Sequence, residues 1–349
     1  MKNYVRIFSI FLACCLVFVL TFTSVVAADT VDSKINNASL NEYIDTTLPH
    51  YLTLGDEAYD QVKISNPVPI KNHSNRTSRM YFVTNDGEYI GQLIVSFVNN
   101  QYYSNFMFDN NVEINNVLKT NIPFALIAYN DGNDHMVMQT ASDNMIISAN
   151  KQNSLERLNI PVYELSPATF SSFNPIQNYT RTSSDYYVSL SVPNVSNDTT
   201  PDGKGLCWAA CIAAISNYRT DSSYDALDIF DALDYEYSGT PEGTRTWYEY
   251  GYEYCGMGYN DTSGMEFIDL YDVLDSGKPA MFDIARSGAA HAIVCKYLMG
   301  GNDYTTYGFM DPNRSSTVYT YFDDPNLDPD NFVYDNGQNE YDDWRYTIY

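Results

Sequence analysis

One cysteine of the sequence stands where its thiol could act as a nucleophile. Cys207 lies at the start of a stretch, residues 206–218, whose apolar side chains recur at helical spacing. In the first turn of a helix, unpaired backbone N–H groups and the helix dipole stabilise a thiolate. Gly203 and Gly205 precede the cysteine and would leave room for the main chain of a substrate. The alternative interpretation of Cys207 is a small buried apolar side chain.

A histidine that could serve as the base for this thiol lies in the same half of the chain. Of the four histidines in the sequence, only His291 follows residue 184. It begins a strand-like run, residues 291–294, directly after the flexible Gly288-Ala289-Ala290. The first residue of a strand is fixed in orientation and open on one side, as a general base must be. A structural histidine at the end of a strand is the alternative.

A carboxylate that could orient this imidazole follows at the end of the next strand. His291 lies 9 residues before the turn at residues 300–303, and Asp311 lies 8 residues after it. In an antiparallel hairpin those two positions are close, so the sequence predicts a contact between His291 and Asp311. Asn313 is the alternative orienting residue, and a plain turn role for the Asp-Pro-Asn segment is a third interpretation.

The elements that must position these residues can be predicted from the C-terminal half. Helical patterns cover residues 206–218, 224–233 and 265–274. Strand patterns follow at residues 280–284, 291–298 and 304–310. We therefore expect residues 185–349 to form a domain in which the helix of Cys207 packs against an antiparallel sheet.

The preceding part of the chain has a different pattern. Short apolar runs broken by turn sequences at residues 85–87 and 130–134 indicate antiparallel hairpins. Residues 152–184 are irregular, with three prolines, and are typical of a linker. We expect residues 29–184 to form a small strand-rich N-terminal domain with this linker, so that the predicted fold class of the whole chain is α+β.

The first residues predict export of the protein. Lys2 and Arg6 precede an apolar run that ends in Val26-Ala27-Ala28, which indicates a signal peptide over residues 1–28. A retained membrane anchor is the alternative, but basic residues do not follow the run. We expect a secreted protein that has no membrane contact after cleavage.

Charge and cysteine content limit the partners and cofactors. The formal net charge is −25 with only 19 Lys and Arg residues, which argues against a nucleic-acid partner. After signal cleavage Cys207, Cys211, Cys255 and Cys295 remain, and disulfide pairing among the last three stays open. Their spacing lacks the close Cys-x-x-Cys pair of zinc sites.

The ordered set of Cys, His and Asp resembles the papain-like cysteine peptidases. It is most similar to secreted bacterial staphopain-like enzymes and to the double-glycine peptidase domains of bacteriocin-processing transporters. The resemblance covers about residues 192–313, roughly a third of the chain, and rests on Leu206-Cys207-Trp208-Ala209-Ala210, Gly277-Lys278-Pro279, His291-Ala292-Ile293-Val294 and Asp311-Pro312.

This resemblance implies a papain-like C-terminal domain with a catalytic triad of Cys207, His291 and Asp311. The triad would hydrolyse peptide bonds of a peptide or protein substrate through a thioester, without a metal or an organic cofactor. By the same resemblance the protein would be made as a zymogen. Its N-terminal domain would then act as an intramolecular inhibitor or chaperone.

The sequence departs from the family at the oxyanion hole. The family places a Gln about six residues before the nucleophile, and that position is Pro201 here. Residues 192–197 are similar to the segment that normally ends in this Gln, so Asn197 is the candidate donor and residues 198–205 form an enlarged loop. Asn is one methylene shorter than Gln, and loss of one such donor slows acylation by about two or three orders of magnitude.

Two other functions remain open at this stage. A cell-wall amidase or endopeptidase of the Cys-His type would use the same nucleophile on a different fold. A catalytically inactive papain-like binding module is suggested by the missing Gln and by the acidic sequence with its 32 tyrosines.

Overall fold

The computed structural model describes most of the chain after the predicted signal peptide. The described residues are 37–55, 59, 61–75, 77–130, 134–147, 160–173, 186–200, 204–237, 241–301, 304–322, 332–337 and 339–349. The predicted signal peptide and much of the predicted linker lie outside them. The chain divides into two compact units, Met1–Ile44 and Asp45–Tyr349, and the described part of the first is the beginning of one helix.

Six helices occur within the described residues. They are α1 (Asn37–Leu52), α2 (Val112–Lys119), α3 (Cys207–Thr220), α4 (Ala226–Glu236), α5 (Arg245–Tyr254) and α6 (Phe267–Asp275). Across this described part, no helix combines the length and the apolar character needed to cross a bilayer.

The strands fall into an N-terminal and a C-terminal series. The first comprises β1 (Val62–Ser65), β2 (Val68–Lys71), β3 (Arg79–Asn85), β4 (Glu88–Val98), β5 (Gln101–Phe108), β6 (Phe124–Asn130), β7 (Asp134–Thr140), β8 (Asn144–Ile146) and β9 (Phe170–Ser172). The second comprises β10 (Tyr186–Ser189), β11 (Asp261–Thr262), β12 (Ala280–Arg286), β13 (Ala289–Gly300), β14 (Thr305–Met310), β15 (Val318–Phe322), β16 (Tyr334–Asp335), β17 (Glu340–Tyr341) and β18 (Asp343–Ile348).

Most of these strands belong to one sheet, which is antiparallel except for the pairing of β2 with β6. Its main path runs β11-β18-β12-β13-β14-β15-β5-β4-β3-β2-β6-β7-β8. Strands β1 and β9 pair beside β3, β10 pairs with β13, and β16 and β17 form a separate hairpin. The protein is thus a mixed α and β fold with a large, mostly antiparallel sheet, in agreement with the predicted α+β class.

Strands from both halves of the chain meet within this sheet. Strand β15 pairs with β5, with Val318 opposite Met107 and Tyr321 opposite Ser104. The Thr320 hydroxyl also donates to the Asn105 side chain at 2.5 Å. Backbone hydrogen bonds therefore connect the C-terminal series to the N-terminal one, whereas the boundary predicted after residue 184 lies outside the described residues.

The turn between β3 and β4 is one that the sequence predicted correctly. Asp86 and Gly87 both have positive φ angles, 51° and 81°. A two-residue hairpin turn of this type requires such angles at both positions, which is why Asp-Gly is favoured there. Strands β3 and β4 flank this turn and pair with each other, as expected for the predicted hairpin.

Helix α3 lies in the core beside the sheet. Nine consecutive residues, 208–216, are buried, so the helix is enclosed on all sides rather than on one stripe. Its neighbours are α4, α5 and β13. Because a helix packed on all sides cannot rotate or shift freely, its first residue is held in a fixed place.

Candidate active site

Cys207 is the first residue of α3, as the sequence predicted, and is half-buried. The residue before it, Leu206, donates its backbone N–H to the Asn197 side-chain oxygen at 2.8 Å and to the Asp198 carbonyl at 2.8 Å. These bonds fix the entry of the chain into the helix. The thiol therefore lies in the first helical turn, where backbone N–H groups and the dipole favour a thiolate.

His291 lies beside this thiol and is held by Asp311. The imidazole Nε2 donates to Asp311 Oδ1 at 2.9 Å, and both side chains are buried. Cys207 also acts on the imidazole and raises its pKa, so the thiol and the ring are neighbours. Because Nε2 is used by Asp311, Nδ1 is the ring nitrogen left for the thiol. The predicted contact between His291 and Asp311 is thus present.

The position of His291 within its strand differs from the expectation. It is the third residue of β13, opposite Ile284 of β12, rather than the first residue of a strand. The strand begins earlier because Arg286 and Ala289 already pair across the tight turn at Gly288, where φ is +81°. The residues before and after His291 are both paired with β12, and this pairing fixes the main chain that carries the imidazole.

Electrostatic interactions favour the ionised form of both partners. Burial lowers the pKa of His291, but the Asp311 charge, its hydrogen bond and Cys207 outweigh burial, so the pKa lies well above its usual value. Burial alone would raise the pKa of Asp311, but the charge and hydrogen bond of His291 lower it to about 2. A protonated imidazole next to the thiol stabilises a thiolate.

The Asp311 carboxylate is fixed by further hydrogen bonds. Oδ2 accepts from the Tyr334 hydroxyl at 2.7 Å and from the Asn336 side-chain amide at 3.2 Å. Oδ1 also accepts from the Asn313 backbone N–H at 2.8 Å. Burial and the adjacent Asp311 charge raise the pKa of Tyr334, so its hydroxyl stays a donor.

A short hairpin, β16 with β17, supplies several of the groups around this pair. Tyr341 stacks on the His291 ring with centroids 5.3 Å apart and an interplanar angle of 26°. Tyr334 lies opposite Tyr341 in the hairpin, and Asn336 follows β16. Sequence reasoning missed all three, because a segment rich in Asp, Asn and Tyr carries no periodic signal that marks a functional side chain.

The two asparagines predicted as site residues brace the loops around the triad. The Asn197 amide donates to the Asn313 side-chain oxygen at 2.9 Å, and Asn197 Oδ1 accepts the Leu206 N–H. Asn313 therefore supports Asp311 through its backbone, and the group bonded to His291 Nε2 is Asp311. One of the two N–H groups of the Asn197 amide is thus used by Asn313.

The four cysteines of the described residues are free thiols. Burial raises the pKa of Cys211, Cys255 and Cys295, so these three are protonated at neutral pH. The disulfide pairing left open by the sequence is thus absent among them. Within the described residues, no group of His, Cys, Asp and Glu side chains could hold a metal ion.

Two buried aromatic side chains, Trp208 and Tyr248, lie near Cys207. Trp208 follows Cys207 directly, and its ring centroid lies 6.1 Å from that of Tyr248. The chain passes close to both rings at Gly243, where a Cβ atom would lie 3.2 Å from Trp208 and 3.4 Å from the Tyr248 hydroxyl. A larger residue at this position would press on the Trp208 and Tyr248 rings.

Comparison of the chain with protein-family models and with curated proteins found no match. The chemistry of the site follows from its own geometry. A thiol at a helix N-terminus, an imidazole beside it and a buried carboxylate bonded to the imidazole form the arrangement used for nucleophilic acyl transfer.

Proposed function

We propose that this protein is a cysteine peptidase with a papain-like catalytic domain, in which Cys207 is the nucleophile, His291 the base and Asp311 the orienting group. One observation carries the proposal. The thiol at the head of α3 neighbours an imidazole whose Nε2 donates to a buried carboxylate at 2.9 Å. The packing of α3 against the antiparallel sheet supports the papain-like assignment.

The proposed reaction is acyl transfer in two steps. His291 takes the Cys207 proton, the thiolate attacks the peptide carbonyl carbon, and the C–N bond breaks as His291 returns the proton to the leaving amine. Water then attacks the thioester, again with His291 as base, and the carboxylic product leaves while the thiol is restored. Asp311 keeps the imidazole in one orientation throughout and stabilises its charged form.

The oxyanion hole would combine the Cys207 backbone N–H with the second N–H of the Asn197 amide. This role for Asn197 is supported by its contact with Leu206, the residue directly before α3, whose backbone N–H donates to Asn197 Oδ1. Asn197→Ala should lower kcat by about two orders of magnitude while Cys207 is still alkylated by iodoacetamide, which forms no oxyanion. Equal loss of both activities would mean that Asn197 only braces the helix.

Labelling of the thiol tests the proposal most directly. An active-site-directed epoxide should label Cys207 stoichiometrically in the wild type, and His291→Ala should abolish the labelling. Cys255 is the matched control, because its thiol is also half-buried but has a raised pKa. Cys255→Ala should leave the labelling unchanged, and absence of any label under reducing conditions would favour an inactive binding module.

The substrate class is tested on the same preparation. Wild type should hydrolyse denatured protein, and Cys207→Ala should not. Hydrolysis of peptidoglycan without cleavage of protein would instead identify a cell-wall amidase or endopeptidase.

Secretion and maturation are part of the proposal. We propose export directed by residues 1–28, which the mass of secreted protein beginning at Asp29 would support. For a zymogen, cleavage within residues 152–184 should raise activity. Since β5 and β15 share backbone hydrogen bonds, such a cut need not release the N-terminal strands, and gel filtration of the cut protein measures whether they stay bound.

A further inference from the structure

The hairpin of β16 and β17 presents its two faces to two different parts of the molecule. Tyr334 and Tyr341 are cross-strand neighbours, and so are Asp335 and Glu340. Successive residues of a strand point to opposite faces. Tyr334 and Tyr341 accordingly contact Asp311 and His291, which leaves the Asp335 and Glu340 side chains on the opposite face.

Asp335 is fully buried and is held by residues of the N-terminal strands. Oδ1 accepts from His73 Nε2 at 3.0 Å and from the Gly337 backbone N–H at 2.7 Å. Oδ2 accepts from the Ser78 hydroxyl at 2.7 Å and from the Ser96 hydroxyl. His73 follows β2, Ser78 precedes β3, and Ser96 lies in β4, so three separate places in the N-terminal strands converge on one carboxylate.

The second strand of the hairpin is held by the same region. Asn75 donates its side-chain amide to Glu340 Oε2 at 2.5 Å, and the Glu340 backbone N–H donates to the Ser74 hydroxyl at 2.9 Å. His73 Nδ1 lies 2.9 Å from the Asn75 carbonyl oxygen, which fixes the imidazole at both nitrogens. The hairpin is therefore bound to residues 73–96 on one side and to the triad on the other.

The chemistry of this contact is unusual for a purely stabilising interface. Desolvation of a buried ion pair costs as much as its attraction returns, so apolar residues of similar size would hold the hairpin at least as firmly. What a carboxylate with four directed donors supplies is a defined position. Asp335 stands directly between Tyr334 and Asn336, the two donors to Asp311 Oδ2.

We propose that the N-terminal strands are a positioning part of the active site: His73, Ser78 and Ser96 hold Asp335, and Asp335 fixes the hairpin that orients Asp311 and His291. This inference rests on the function proposed above. Displacement of Asp335 by an ångström would take both donors away from Asp311, and misplacement on that scale can cost about a hundredfold in rate. The N-terminal region is then an activating component, which remains with the catalytic residues in the working enzyme.

The test compares Ser78→Ala/Ser96→Ala with Ser65→Ala in the full-length protein. Ser65 is an equally buried serine of β1, bonded to Asn66 and Phe82 and not to the hairpin. The double variant should lower kcat about tenfold or more, with KM within about twofold, and slow Cys207 alkylation in proportion. Ser65→Ala should change neither quantity.

A structural readout separates this inference from the proposed function. The Nε2–H resonance of His291, assigned as the one absent from His291→Gln, should shift and exchange faster in the double variant. A resonance, kcat and alkylation rate equal to those of Ser65→Ala would overturn the positioning role. If the double variant does not fold, Ser78→Ala and Ser96→Ala singly are read by the same criteria.

Failure of the proposed function looks different. Wild type would then neither cleave peptides nor alkylate at Cys207. In that case the His291 resonance alone decides whether the N-terminal serines position the imidazole: a shift in the double variant supports the inference, and an unchanged resonance overturns it.

Discussion

Two buried histidine–aspartate pairs in this protein have nearly the same geometry. His291 Nε2 lies 2.9 Å from Asp311 Oδ1, and His73 Nε2 lies 3.0 Å from Asp335 Oδ1. Each carboxylate also accepts a bond from at least one hydroxyl. Burial is the largest single influence in each pair, but the partner's charge and the hydrogen bonds together outweigh it, so the histidine pKa is raised and the aspartate pKa is lowered.

The pairs differ at the other nitrogen of the ring. His73 Nδ1 faces the Asn75 backbone, and the side chains of His73 and Asp335 are 0% exposed. His291 Nδ1 is left for the Cys207 thiol, and its side chain is 3% exposed at the edge of a site whose thiol is half-buried. The two pairs thus differ in what lies at the second ring nitrogen: a backbone carbonyl for His73, and the neighbourhood of a half-buried thiol for His291.

The largest effect that would sharpen this contrast is on catalysis. His291→Ala should lower kcat/KM by about three orders of magnitude or more, because neither thiolate nor general base remains. His135→Gln, at a histidine of β7, is the control and should leave kcat/KM unchanged. Peptide hydrolysis by purified variants measures both, and residual activity above a tenth of wild type in His291→Ala would remove His291 from its proposed role.

The next effect is on stability. His73→Ala leaves the Asp335 carboxylate buried without its counter-ion, and breaking a buried pair in this way costs about 3–5 kcal/mol. Urea unfolding at neutral pH measures this difference in the free energy of unfolding. A loss below about 1 kcal/mol, the range of exposed ion pairs, would mean that Asp335 is well solvated after the substitution.

A smaller effect is expected when one donor to the Asp311 carboxylate is removed. Tyr334→Phe takes the 2.7 Å hydroxyl bond from Asp311 and should lower kcat about tenfold, with a loss of about 1–3 kcal/mol in stability. Tyr252→Phe is the matched control, since Tyr252 is an equally buried tyrosine whose hydroxyl lies 3.5 Å from the Ile348 carbonyl oxygen. Equal kcat values for Tyr334→Phe and Tyr252→Phe would contradict a role of the Tyr334 hydroxyl in orienting Asp311.

The pH dependence of stability should be similar for the two pairs. A lowered aspartate pKa contributes stability that is present above the ordinary value of 3.8 and, for Asp311, is lost as the pH falls toward about 2. A raised histidine pKa contributes stability that is present below the ordinary value of 6.5 and is lost as the pH rises through the raised value.

The stability difference between wild type and His291→Gln should therefore be largest between pH 3.8 and 6.5 and fall on both sides. His73→Gln should give the same profile for stability. Denaturant titrations at several pH values measure both curves, and a difference that grows above pH 8 would contradict the assignment.

The smallest expected effect concerns Glu340, where burial raises the pKa from 4.5 to about 7, with the Asp335 charge adding to the shift. The native state then holds a proton that the unfolded chain releases, so stability from this group is lost as the pH rises from 4.5 through about 7. Glu340→Gln should accordingly be more stable than wild type at pH 8, by on the order of 1 kcal/mol. Equal thermal unfolding temperatures of the two at pH 8 would contradict the raised pKa.

Much of the local structure around the catalytic pair followed from the sequence. The helical spacing after Cys207 predicted the helix observed as α3, and the strand pattern at residues 304–310 predicted β14. The expected contact of His291 with Asp311 depended only on the hairpin of β13 and β14. Such features are set by interactions between residues close in the chain, which a single sequence encodes directly.

Other parts had no such signal. Helix α5 was not predicted, because its buried face consists of Tyr248, Gly251 and Tyr252, residue types that favour strands and turns over helices. The sequence predicted Asn197 as a donor to the oxyanion. Its hydrogen bonds to Leu206 and Asn313 were not predicted, because the order of residues in the chain does not encode them.

The sequence by itself determined which residues could form the triad, since few histidines and one suitably placed cysteine left little choice. Only the tertiary structure decided what holds the triad in place. His73 and Asp335 are 262 residues apart, and Ser96 and Asp335 are 239 apart. Their convergence depends on the pairing of β15 with β5 and on the packing of the β16–β17 hairpin against β5 and β12. Contacts at such separations arise from the packing of the whole sheet, and local residue preferences carry no information about them.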